Sequence, residues 1–173
     1  MGYLNLSFEG KDLIMPKNYS EDYIKDAVEL AITSYLKKEW KLGLLDANER
    51  SMTHKFAEHL KRKFPGWDVD CEYNRDRNSP DHIKRVRLEL TKYPNDDKGQ
   101  SVFPDIIVHV RGKDKNLLVI EAKKDSNIHK PEDETWDKTK LDAYKQELSY
   151  VCGAFIVFKT GDKCMERPRV DWC

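Results

Sequence analysis

Two strongly apolar runs sit in the middle of the chain. They are Phe103-Pro104-Asp105-Ile106-Ile107-Val108-His109 and Leu117-Leu118-Val119-Ile120-Glu121-Ala122-Lys123-Lys124, joined by the polar stretch Arg111 to Asn116. Runs of this length and β-branched content, with a Gly-containing turn between them, predict a β-hairpin. Asp105 opens the first strand, and Glu121 and Lys123 close the second, so the hairpin gathers two carboxylates and an ammonium at its open end. Side chains alternate across a strand. Asp105, Ile107 and His109 therefore share one face, as do Val119, Glu121 and Lys123. A turn that sets Arg111 opposite Leu117 would set Ile107 opposite Glu121 and Asp105 opposite Lys123. A slip of one residue would scatter the polar groups. Ala122 points the other way, and its carbonyl is available as a further oxygen ligand.

These residues resemble the PD-(D/E)xK nuclease superfamily, the restriction-endonuclease-like fold. Pro104-Asp105 matches the first half of that pattern and Glu121-Ala122-Lys123 the second. The resemblance covers roughly residues 46 to 159. It implies an α/β fold with a central mixed sheet of four to five strands flanked by helices, here with an added N-terminal helical segment. It also implies a divalent-metal-dependent nuclease with Mg²⁺, or Mn²⁺ in its place, held by Asp105, Glu121 and the Ala122 carbonyl. Glu49, in Asp46-Ala47-Asn48-Glu49, is the helical acid that often completes such a site; its plainer reading is a first-turn acid facing the helix dipole. Lys123 would orient or help deprotonate the attacking water. Gln146 and Tyr150 look like the Gln-x-x-x-Tyr motif of the RecB-like branch and would share one helix face as substrate contacts; Lys140 is a comparable candidate for contact with substrate phosphate. The implied partner is nucleic acid, with DNA the expected substrate. One alternative is a Holliday-junction resolvase, which requires a homodimer with two sites, although no dimer patch stands out. Another is a catalytically silent module that binds nucleic acid or protein.

The bland readings stand beside these. A Pro-Asp before a strand is commonly a turn remnant, and an acid at a strand end is commonly solvated. Glu72 lies in an acidic alternation, Val69-Asp70-Cys71-Glu72, and is a weaker ligand candidate. His109 reads as structural, His54 as a surface residue and Trp136 as core.

Composition limits the function classes. The chain has 173 residues, enough for one domain with a real core, and 31 basic side chains balance 31 acidic ones. This balance removes the basic excess that favours tight non-specific nucleic-acid binding. Four cysteines without metal-ligand spacing, together with no leader-like or membrane-spanning run, predict free thiols in a cytoplasmic protein.

Periodicity supplies the remaining elements. Residues 3–15 predict a peripheral hairpin. Ser20 caps a helix that runs to about Trp40, buries Tyr23, Ala27, Leu30, Ala31, Ser34 and Tyr35, and stops at Gly43. A second helix starts near Asp46 and ends before Pro65. Residues 67–74 predict a first strand and 75–102 an insertion containing a strand. A helix over 135–150 buries Leu141, Tyr144, Leu148 and Val151 and is capped by Gly153. A buried strand covers 154–158, and 160–173 form a tail.

Overall fold

The computed structural model describes residues 19–75, 85–86, 100–101 and 103–173. The hairpin expected over 3–15 and most of the insertion over 75–102 lie outside these residues. Three helices, α1 (Glu21–Leu44), α2 (Glu49–Lys61) and α3 (Glu132–Leu148), flank a mixed sheet. Its five strands, β1 (Asp68–Cys71), β4 (Ile106–His109), β5 (Asn116–Lys124), β6 (Cys152–Phe158) and β7 (Arg169–Trp172), lie in the order β1-β4-β5-β6-β7. Two short strands, β2 (Arg85–Val86) and β3 (Gln100–Ser101), pair as a separate ribbon within the insertion. No helix among the described residues is long and apolar enough to cross a membrane.

The alternation of β4, β5 and β6 divides the core in two. Ile106, Val108, Leu118, Ile120, Ala154 and Ile156 meet α1 and α2 on one face. Ile107, Val119, Phe155 and Val157 meet Leu141 and Tyr144 of α3 on the other. Central strands with both faces covered read as continuous apolar runs, and all seven residues of β6 are buried. Each fully buried Ile, Leu or Phe contributes about 1.5–3 kcal/mol. β5 is the middle strand, antiparallel to β4 and parallel to β6. A parallel partner needs a crossover, and α3 supplies it.

The hairpin forms with a register two residues from the expected one. Ile107 pairs with Val119 rather than Glu121, and a bulge between Val108 and His109 sets His109 opposite Asn116. The turn closes by a hydrogen bond from Val110 N–H to Lys115 O (2.9 Å), with Gly112 at φ +71°. A slip of two preserves the faces, so Glu121 and Lys123 stay on the α3 side while Asp105 becomes level with Glu121.

The segment expected as N-terminal decoration is a core layer. In α1, Ile24, Ala27, Val28, Ala31, Ile32 and Tyr35 are buried, while Tyr23 and Leu30 are exposed. Gly43 does not stop the helix. It lies in the last turn against the segment after β6, where an added Cβ would stand 2.8 Å from Lys159 O and 2.9 Å from Cys164 Cβ, so close approach is its role. The expected tail supplies β7, antiparallel to β6. α3 begins at Glu132 and ends at Leu148, where Ser149 takes the left-handed cap position (φ 55°). Gly153 lies inside β6, and Val151 is exposed. The Asn116 side chain donates to Leu148 O (2.7 Å), tying the end of α3 to the start of β5.

Candidate functional site

β5 outruns β4. Among the described residues no strand lies beside β5 on that edge beyond Ile106, and carboxylates take the place of backbone acceptors. Ala122 N–H donates to Asp105 Oδ2 (2.8 Å), and Lys124 N–H donates to Glu49 Oε2 (3.0 Å). In a strand the carbonyl of a residue points to the same edge as its N–H, so the Ala122 carbonyl shares this edge with Asp105. Asp105 thus turns sideways into the sheet edge rather than standing on the α3 face. Glu49 reaches the same edge from α2, whose N-cap is Asn48 (Ser51 N–H to Asn48 Oδ1, 2.8 Å). It also accepts from Asn127 Nδ2 at 3.0 Å.

Glu121 is on the α3 face and is 2% exposed. Lys140 Nζ lies 2.7 Å from its Oε2, and Tyr144 Oη donates to its Oε1 at 3.1 Å. Lys140 is also 2.8 Å from Asp137 Oδ1, while Lys123 Nζ is 2.7 Å from Asp137 Oδ2. A buried chain of alternating charge therefore runs Lys123–Asp137–Lys140–Glu121. Lys124, on the other face, pairs with Asp46 Oδ1 at 2.8 Å.

Burial raises Glu121 to about 8; the neighbouring Asp105 charge adds to this, and Lys140 only partly offsets it. Burial likewise raises Asp105 to about 6 against the Ala122 hydrogen bond. For Lys140, burial pulls downward, but the Glu121 and Asp137 charges outweigh it and the ammonium is held charged. Lys123 is raised in the same way, burial being outweighed by Asp137. Two neighbouring carboxylates in low dielectric each disfavour ionisation of the other, and that cost remains unless a cation offsets it.

A cleft of about 480 Å³, partly open to solvent, lies beside Asp105 and is walled by Glu49, Arg50, His54, Cys71 and Glu72. Glu72, at φ +49°, pairs with Arg50 at 2.6 Å, and its N–H faces Pro104 O and Asp105 O at 3.1 and 3.3 Å. Burial pushes the Cys71 thiol up to about 11, which makes it a poor nucleophile. His109 is buried further along β4, with Nε2 2.8 Å from Asp70 Oδ2. His54 is exposed on α2.

Asp105, Glu121, Lys123 and Glu49 therefore meet at one strand end, but not as a preassembled ion cage. Among the described residues, no three His, Cys, Asp or Glu side chains are grouped to hold a metal ion. Asp105 Oδ2 and Glu49 Oε2 instead accept from backbone N–H groups, Glu49 Oε2 also from Asn127, and the two Glu121 oxygens meet Lys140 and Tyr144. Gln146 and Tyr150 do not share a helix face as expected. α3 ends at Leu148, Gln146 is exposed, and Tyr150 lies beyond the cap, buried in the α3-side core. Lys140 turns inward to Glu121. Sequence reasoning missed Asp137 and the hydroxyl of Tyr144. Their signal was the spacing 137, 140, 141, 144, which places an acid and a base on the apolar stripe of α3. Comparison with known protein families, with curated proteins and with solved structures finds no match.

Proposed function

We propose that the chain is a divalent-cation-dependent nuclease with a restriction-endonuclease-like core of the PD-(D/E)xK kind, acting on phosphodiester bonds, with DNA the expected substrate. One observation carries this reading. Asp105, the residue before β4, caps the open edge of β5 at Ala122, next to Glu121; both acids are pushed toward protonation by burial, and Lys123 lies two residues further along the Glu121 face. The donors fit Mg²⁺ or Mn²⁺: carboxylates and the Ala122 carbonyl are hard oxygen ligands, and the pair bears a like-charge cost that Lys140 only partly offsets and a divalent cation relieves. Glu49 is the further ligand on the same edge.

A bound divalent cation lowers the pKa of water and offsets negative charge on the phosphoryl oxygens. The side chains have separate tasks. Asp137 holds the Lys123 ammonium beside the carboxylates, where it stabilises charge developing on the phosphate and orients the attacking water. Asp105 is fixed by the Ala122 N–H and Glu121 by Tyr144. Arg50 and His54, on the cleft wall, contact substrate phosphates. With no net charge, the chain relies on this local set rather than on long-range steering.

The test is incubation of the purified protein with supercoiled, linear and single-stranded DNA and with RNA, in Mg²⁺, Mn²⁺ and EDTA. Cleavage that EDTA abolishes supports the proposal, and no cleavage of any substrate in either ion sinks it. A second reading, a silent binding module, is favoured by the fact that both Glu121 oxygens already have partners. It predicts nucleic-acid or protein binding without cleavage.

A further inference from the structure

Resting on the reading of Asp105 and Glu121 as cation ligands, we propose that Lys140 is an internal counter-ion of the site. Its ammonium occupies Glu121 Oε2 in the cation-free protein and yields that oxygen to a divalent cation while remaining on Asp137. The geometry supports both halves. Lys140 Nζ is 2.7 Å from Glu121 Oε2 and 2.8 Å from Asp137 Oδ1, so it bridges two carboxylates whose side chains are 3% and 7% exposed. The charged form of a carboxylate buried as deeply as Glu121 is costly unless a cation offsets it, and among the described residues Lys140 is the cation in contact. Asp137 is one helical turn earlier on α3. Rotation about the terminal bonds of Lys140 can therefore release Glu121 without losing the second partner. Tyr144 meanwhile holds Glu121 through Oε1, which leaves Oε2 as the oxygen to exchange. The lysine spares the apo protein an unpaired buried charge, at the cost of competing with the ion. The phosphate contact expected of Lys140 from the sequence gives way to this role.

The measurement is calorimetric titration of the full chain with Mg²⁺, alongside its melting temperature with and without Mg²⁺. Wild type, Lys140→Met and Lys140→Arg are compared in one buffer at one pH. Lys140→Met should bind Mg²⁺ at least about tenfold more tightly, since a competitor and a like charge are both removed. It should melt lower than wild type without Mg²⁺ and gain more on adding it. Lys140→Arg, which keeps the charge, should stay near wild type. Equal or weaker binding by Lys140→Met overturns the exchange and leaves the ligand reading standing. Absence of Mg²⁺ binding by any of the three overturns both. If Lys140→Met does not fold, Lys140→Gln carries the same comparison.

Discussion

Glu121→Gln tests the electrostatics of the site apart from any catalysis. A carboxyl whose folded pKa lies above its unfolded one binds more protons when folded, so stability falls as pH rises through that interval. Asp105 moves from 3.8 to about 6 and Glu121 from 4.5 to about 8. The stabilisation of the protonated forms is complete below the unfolded values, near pH 4. It is lost through about pH 6 for Asp105 and about pH 8 for Glu121. Between pH 7 and pH 9 Asp105 is already ionised, so that window isolates Glu121. Integrating its titration there gives a further loss of about 1.4 kcal/mol, and the loss from pH 5 to 7 is about 2.5 kcal/mol. Glutamine keeps the shape and accepts from one of Tyr144 and Lys140 through its single carbonyl oxygen; its amide then meets the other donor, a cost independent of pH, and it has no proton to lose. Urea unfolding of the metal-free protein at pH 5, 7 and 9 should show wild type falling more steeply than Glu121→Gln by about these amounts. Thiols and tyrosines common to both proteins cancel in the difference. Parallel curves for the two proteins would refute the claim that Glu121 is held in a site hostile to its charge.

Two further outcomes follow. Lys123→Ala should slow metal-dependent cleavage by at least about 100-fold, as for loss of one electrostatic stabiliser, while affinity for DNA in Ca²⁺ changes little; single-turnover rates and binding titrations separate the two effects, and an unchanged rate refutes the role given to Lys123. Gly43→Ala should destabilise the fold by about 1–3 kcal/mol through overpacking, because its Cβ would meet the Lys159 carbonyl at 2.8 Å; an unchanged melting temperature would show that the β6–β7 connection yields freely.

The legibility of this fold and site in the sequence followed physical lines. The hairpin, α1, α2 and β6 were readable because their apolar periods are strong and their bounds are marked by Ser20, Pro65 and a polar turn. The end at which Asp105, Glu121 and Lys123 meet followed from the hairpin; the shared face that alternation predicts holds for Glu121 and Lys123 but not for Asp105, which turns into the sheet edge. The register did not follow, because the bulge at Val108/His109 is a backbone feature without a residue signature. The role of α1 was misjudged: an N-terminal helix outside a recognised pattern looks dispensable, yet its buried stripe at Ile24, Val28, Ala31 and Ile32 fills one face of the sheet. β7 escaped notice since Arg169–Trp172 is a short edge strand, partly exposed and without a continuous apolar run. In the site, Asp137 and the inward turn of Lys140, expected as a substrate contact, were obscured by the convention that charged helix residues face solvent. Their strand partners, Lys123 and Glu121, lie on β5, the strand that precedes α3, and only the packing of α3 on the sheet joins them.

The most direct measurement of the central claim is the single-turnover rate of DNA cleavage in Mg²⁺ by wild type and by Asp105→Asn, purified identically. Asparagine keeps the hydrogen bond to the Ala122 N–H but removes the charge that would hold the cation. The account predicts EDTA-sensitive cleavage by wild type and a rate at least about 100-fold lower in the variant. Equal rates for the two proteins would contradict it, placing any nuclease activity somewhere other than the end of β5.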